Sequence, residues 1–224
     1  VRRRGLPLAV RVPRPRRAAR TALRRAPART SNDPAMAPDR RQVLAGAAAA
    51  AVAGALPAAA AEWDALSRPG ALAIMRHALA PGTGDPPDFA LGDCSTQRNL
   101  DDRGRAQARA IGDALRTRGI GFDRVLTSEW CRCRETAELL ALGPVEPFPP
   151  LNSFFGRRER GPEQTRQLQA WISTLEPATR VMFVTHQVNI TALTGRFASS
   201  GEILALERRG GGKVEVRGEI LLRP

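Results

Sequence analysis

The sequence predicts an α/β fold, a three-layer sandwich in which a mostly parallel sheet carries helices on both faces. Two observations lead there. Short continuous apolar runs, Ala71–Met75 and Val181–Val184, fit strands buried on both faces. Strand-like runs then alternate with helical patterns from residue 72 to residue 193, the order that builds a parallel sheet. A third observation concerns function. The first run ends in Arg76-His77 and the second in Thr185-His186, and these are the chain's two histidines. At the carboxyl ends of such strands, side chains project into the crevice where open α/β sheets bind ligands. The competing reading is two satisfied core histidines.

The 224 residues allow one domain of ordinary size. The net charge of +13 is unevenly spread: residues 1–61 hold thirteen Arg and two Asp, and the remainder holds 22 Lys+Arg against 20 Asp+Glu. Residues 1–35 contain eleven arginines and almost no bulky apolar side chains, so they read as a disordered segment. A nucleic-acid-binding arm is one reading of it. The other takes Met36 as a fresh start and residues 1–35 as lying upstream of it. Residues 36–61 read as a signal peptide: Arg40-Arg41 supply the charge, Ala45–Leu56 a short apolar run, and Ala58–Ala61 small-residue cleavage sites. The order Arg-Arg-x-Val-Leu resembles a twin-arginine leader, from which Asp39, Val43 and Ala45 depart. A general secretory leader is the alternative. The working domain is thus expected over residues 62–224, in a periplasmic or secreted protein that meets the membrane only in transit.

Within that domain, residues 79–100 form a long Gly- and Pro-rich loop of acidic character, containing Asp85, Asp88 and Asp93. Asp101 is placed to cap a helix whose apolar face carries Ala108, Ile111 and Leu115 and which Gly119 and Gly121 end. Val125–Thr127 is a strand and Ser128 its turn. The next helix runs from about Trp130 to Leu142, with Ala137, Leu140 and Ala141 facing inward, and Gly143-Pro144 stops it. Val145–Leu151 is Pro-rich and suits an edge strand. Residues 152–162 are a loop, Gln164–Leu175 a helix with Leu168, Trp171, Ile172 and Leu175 on one stripe, and Ile190–Leu193 a short helix. Glu202–Glu207 and Lys213–Leu222 end the chain as two strands joined at Gly210-Gly211-Gly212.

Three strand ends therefore offer polar residues on one side of the sheet: Arg76-His77, then Thr127-Ser128 leading to Arg132, then His186. Arg132 falls in the first turn of its helix, where the dipole and free N–H groups favour an anion. Arginine holds phosphate through a planar fork, and neutral histidine is a nucleophile near pH 7. The set is a site for a phosphoryl group.

These residues match a known pattern. Arg76-His77-Ala78 stands where the histidine phosphatase superfamily has Arg-His-Gly after its first strand. Leu100-Asp101-Asp102-Arg103-Gly104-Arg105-Ala106-Gln107-Ala108 parallels Leu-Thr-x-x-Gly-x-x-Gln-Ala, and Thr127–Ala137, carrying Ser128, Arg132 and Thr136, parallels Ser-Ser-Pro-Leu-x-Arg-Ala-x-Gln-Thr-Ala. Thr185-His186-Gln187 parallels Ser-His-Gly. Over 71–195 the chain resembles that superfamily, which implies the phosphoglycerate-mutase-like fold. The resemblance implies that His77 attacks phosphorus and that Arg76, Arg132 and His186 hold the phosphoryl oxygens. It implies a metal-independent phosphoric monoester hydrolase, of the histidine acid phosphatase type, with a small phosphorylated substrate and no cofactor. No nucleic-acid partner is expected for the mature domain. Arg98, Asn99 and Ser128 are candidates for substrate binding, and Trp130 and Phe155 for the pocket mouth.

The departures concern the general acid. Many relatives place a Glu two residues after the leucine that closes the third strand, where this chain has Ser153; another branch places an Asp after the second histidine, where it has Gln187. Glu159, Asp88 and Glu129 are the remaining candidates. A weakly active phosphoester-binding protein and a phosphoglycerate-mutase-type phosphotransferase are the alternatives to a phosphatase. An exported chain with three Cys forms at most one internal disulfide. Cys131 and Cys133 diverge at a helix start, which leaves Cys94 to pair with one of them, or three free thiols. In the family fold the segments of Cys94 and Cys131 both border the phosphate pocket, so the resemblance implies that pair.

Overall fold

The computed structural model describes residues 58–222. The Arg-rich segment and the leader lie outside the described residues, apart from residues 58–61, which belong to the first helix, α1 (Ala58–Ser67). No helix among the described residues is long and apolar enough to cross a membrane.

After α1 come β1 (Leu72–Arg76), α2 (Asp102–Thr117), β2 (Arg124–Thr127), α3 (Cys131–Leu140), β3 (Val145–Pro147), α4 (Gly161–Ser173), β4 (Val181–Thr185), α5 (Gln187–Thr194), β5 (Ile203–Arg208) and β6 (Val214–Ile220). They form one six-stranded sheet in the order β3-β2-β4-β1-β5-β6. β3, β2, β4 and β1 run parallel, and β5 and β6 are antiparallel to their neighbours.

Alternate residues of the central strands feed two cores. Ala73, Met75, Val125, Met182 and Val184 pack under Leu66, Ile111, Leu115, Ala137 and Leu140 from α1, α2 and α3. Leu72, Ile74, Leu126, Val181 and Phe183 pack under Leu168, Ile172, Ile190 and Leu193 from α4 and α5. This is why β1 and β4 read as unbroken apolar runs: both faces are covered.

The Asp101 cap forms as expected, its Oδ1 accepting from the Gly104 amide at 2.7 Å. Two glycines of α2 permit close approach. A Cβ on Gly112 would stand 2.2 Å from the Leu140 carbonyl oxygen, and one on Gly104 1.9 Å from that of Leu79. α2 thereby lies directly against α3 and against the chain leaving β1.

Several element ends differ from expectation: β3 covers Val145–Pro147 only, with Pro149–Leu151 a single 3-10 turn, and α5 starts at Gln187, ahead of Ile190. α3 stops at Leu140, because Ala141 turns left-handed (φ 51°) and sends its N–H back to the Glu138 carbonyl; Ala141 is exposed, not buried. α4 starts at Gly161, earlier than its apolar stripe indicates, since Pro162 suits a first helical turn. It also ends at Ser173, so Leu175 packs from beyond the helix.

Candidate active site

β1, β2 and β4 are parallel neighbours, so their carboxyl ends share one edge. Arg76 pairs with Thr185 and Thr127 with Val184, which sets His77, Ser128 and His186 side by side. The His77 and His186 rings meet edge to face with centroids 5.6 Å apart. Arg76, His77, Arg98, Arg132 and His186 all line one cavity of about 1050 Å³.

His77 is held from several sides. Its amide donates to the Thr185 carbonyl at 2.9 Å, continuing the sheet by one residue. The Ala78 amide donates to Thr136 Oγ1 (3.0 Å) and the Leu79 amide to Gln107 Oε1 (3.0 Å), so α3 and α2 fix the chain where it leaves the strand. His77 Nδ1 lies 2.8 Å from the Ala78 carbonyl oxygen. A carbonyl only accepts, so Nδ1 carries the proton and Nε2 carries a free lone pair. Burial first, and then the Arg132 guanidinium, push the His77 ring well below the 6.5 of a free histidine, and the same two causes act on His186.

Three guanidinium groups face these rings. Arg132, 3 % exposed, forms two bonds to Asp85: Nη1 to Oδ1 at 2.6 Å and Nη2 to Oδ2 at 3.1 Å. Its Nε is buried without a partner, as is Nε of Arg76, whose Nη1 goes to the Ala198 carbonyl at 3.1 Å. Arg98 is held by the Gly84 carbonyl at 2.8 Å and by the Ala80 carbonyl. Burial and the neighbouring Arg132 push Arg98 down to about 10. Burial also lowers Arg76, with Arg132 adding to it. Buried like charges with two donors unfilled are stabilised by an anion between them.

Asp85 lines the cavity as well, a position that the sequence marks only as part of an acidic loop. Burial raises its carboxyl, but hydrogen bonds from Arg132, Trp130 Nε1 (3.1 Å) and the Arg98 amide (3.3 Å), with the Arg132 charge, outweigh that and hold it below the usual carboxylate range. It lies in a Gly- and Pro-rich loop with no periodicity, and only the folded loop brings it to Arg132. Trp130 in turn meets His186 edge to face (5.4 Å) and stacks on Phe89 (5.1 Å).

Other expected site residues sit elsewhere. Ser128 is fully buried and does not line the cavity; its Oγ shares a 2.8 Å hydrogen bond with His186 Nε2. Asn99 does not line the cavity, because its amide is committed to the Cys94 carbonyl at 2.7 Å. None of the three general-acid candidates lines it either. Glu129 accepts from Asn152 Nδ2 at 2.6 Å, and Asp88 and Glu159 stand exposed on loops outside the wall. Trp130 and Phe155 do line it.

Cys94 and Cys131 are bonded, with Cα atoms 5.7 Å apart. Cys133 stays a free buried thiol, pushed up to about 12 by burial. The bond ties the loop that carries Asp85 and Arg98 to the start of α3. It closes a sequence separation of 37, for which the chain-entropy relation gives about 3–4 kcal/mol. Cys94→Ser is expected to lower unfolding stability by that amount in urea titrations under oxidising conditions. A loss below about 1 kcal/mol would show that the bond does not constrain the unfolded chain.

The buried neutral rings give a second expectation. Once unfolded, each histidine takes up a proton as pH falls through 6.5, whereas in the fold it stays neutral well below that. The unfolded state then binds more protons, so stability must fall on acidification below pH 6.5, by up to about 1.4 kcal/mol per pH unit for each ring. Urea midpoints at pH 7.5 and 5.5 in phosphate-free buffer test this. Equal midpoints would mean that the histidines titrate normally in the fold.

Comparison with known proteins follows the same lines. The profile of the Histidine phosphatase superfamily (branch 1) matches residues 72–159. An uncharacterized protein of Picosynechococcus is 31 % identical over 143 residues, covering 62 % of this chain and 81 % of that protein. A broad-specificity phosphatase of Saccharomyces cerevisiae is 37 % identical over 62 residues, 28 % of this chain and 27 % of its own length. Among solved structures, an Escherichia coli protein described as a "putative alpha-ribazole-5'-P phosphatase" shares the fold, with a TM-score of 0.50 at 19 % identity over 66 % of this chain and 94 % of that one.

Proposed function

The chain belongs to the histidine phosphatase superfamily, and on that premise we propose that it is an exported phosphomonoesterase working through a phosphohistidine on His77. The observation that carries the reading is an unprotonated His77 Nε2 on a residue that shares one cavity with Arg76 and Arg132, each of which keeps a buried guanidinium Nε without a partner.

The sequence of events follows from the residues. A phosphoryl group enters between Arg76 and Arg132, whose free Nε–H groups take its oxygens. The His77 Nε2 lone pair attacks phosphorus, the P–O ester bond breaks, and the leaving oxygen keeps the electron pair. Negative charge spread over the transferring group is met by fixed guanidinium groups that need no reorganisation. Water then attacks phosphorus, the P–N bond breaks with its electron pair returning to Nε2, the water's proton passes to solvent, from which the leaving oxygen takes one, and inorganic phosphate leaves with His77 neutral again. Asp85 does not supply the leaving-group proton while it is paired with Arg132, and Glu163, the other carboxylate in the wall, is bonded to Arg166 and Gln167. Esters with leaving groups of low pKa are therefore the favoured substrates, since they need no acid.

Export is supported by the leader-like residues 36–61 and by the Cys94–Cys131 bond, since disulfides persist in oxidising compartments. Two measurements test the proposal. The full chain should hydrolyse 4-nitrophenyl phosphate and be inhibited by vanadate; binding of vanadate without turnover would make it a phosphoester-binding protein instead. Mass spectrometry of the native protein should find its amino terminus near Glu62. Recovery of peptides from residues 1–35 in the mature protein would overturn export by this leader.

A further inference from the structure

We propose that the outer half of the catalytic cavity binds the leaving group, and that this group is apolar and carries a second anionic substituent. The inference rests on the phosphatase reading of the same site and names its substrate class.

The apolar part is carried by exposure. Among the described residues, four large apolar side chains stand exposed: Leu91 (47 %), Phe155 (44 %), Phe197 (66 %) and Leu221 (40 %). Three of the four, Leu91, Phe155 and Phe197, line this one cavity. They come from separate places in the chain: the loop after β1, the loop before α4 and the segment after α5. Single exposed apolar residues are ordinary, but their convergence on the rim of one cavity marks a surface that a ligand covers.

The anionic part is carried by charge. Arg157 and Arg160 also line the cavity, and neither has a carboxylate within 4.0 Å among the described residues. The two carboxylates of the wall are already taken, Asp85 by Arg132 and Glu163 by Arg166. Arg76 and Arg132 suffice for one phosphoryl group. Arg157 and Arg160 thus leave positive charge for which a simple phosphate ester has no counterpart. Arginine pairs well with carboxylate or phosphate through its planar fork.

The test compares binding of three phosphonates that cannot be hydrolysed: methylphosphonate, naphthylmethylphosphonate and the same naphthyl compound bearing a carboxylate. Isothermal titration calorimetry on the full-length chain reads each Kd, and turnover of 4-nitrophenyl phosphate is measured beside it. The naphthyl compound is expected to bind at least about tenfold tighter than methylphosphonate, and the carboxylate to add about a further tenfold. The double variant Arg157→Gln/Arg160→Gln should lose most of the carboxylate's increment while moving the naphthyl compound that lacks the carboxylate less than about threefold. Equal affinity for methyl and naphthyl compounds would overturn the apolar half. A carboxylate increment that is absent, or that survives in the double variant, would overturn the anionic half. 4-Nitrophenyl phosphate left unhydrolysed while these affinities hold would remove the phosphatase reading and leave the binding site standing.

Discussion

Replacing His77 with alanine is expected to abolish hydrolysis of 4-nitrophenyl phosphate, by on the order of 10⁴-fold or more, while the protein stays folded. The size of the effect follows from the geometry. Nε2 is the ring nitrogen left with a lone pair once Nδ1 donates to Ala78, and burial with Arg132 keeps that lone pair free of a proton at neutral pH. Water placed in the vacated space has neither its nucleophilicity nor its fixed position. The fold survives because the sheet at this point is held by the His77 backbone, through Thr185, and by Thr136 and Gln107 gripping the next two residues. The circular dichroism spectrum and thermal midpoint should therefore stay near those of the wild type. Near-wild-type turnover in this variant would exclude His77 as the nucleophile.

Arg132→Lys is expected to lower kcat by about 10²- to 10³-fold and to weaken vanadate inhibition by about tenfold or more. Lysine keeps the positive charge and can still reach Asp85. It cannot bond Asp85 through two nitrogens and offer a third to the phosphoryl group, as the guanidinium does when Nη1 and Nη2 hold the carboxylate and Nε stays free. Loss of turnover together with vanadate affinity identifies a residue that contacts the transferring group. An unchanged vanadate affinity would remove Arg132 from that contact, leaving it as a partner for Asp85 alone.

The parts of the fold legible in the sequence were those with short-range causes. Both central strands were readable because burial on two faces demands unbroken apolar residues, and α2 because its cap and its apolar stripe are both local. The placement of His77, Arg76, Arg132 and His186 at one sheet edge followed from the parallel strand order, with no knowledge of contacts. What the sequence hid depends on loops. Asp85 sits among glycines and prolines, and nothing within several residues of it distinguishes it from Asp88, which points away. Ser128 follows a strand directly, as site residues do, but it does not line the cavity and its Oγ is engaged with His186 Nε2. Arg157 and Arg160 lie in the stretch 152–162 that the sequence marks only as a loop, and the fold sets them on the cavity wall.

The central claim is that phosphoryl transfer passes through Nε2 of His77. Mixing the protein with substrate, quenching in alkali, where phosphohistidine survives, and locating the modification by tandem mass spectrometry tests it most directly. One phosphoryl group is expected, on His77 and attached at Nε2, that disappears in His77→Ala. A phosphoryl group on His186, attachment at Nδ1 of His77, or turnover at full rate with no covalent species formed would contradict it.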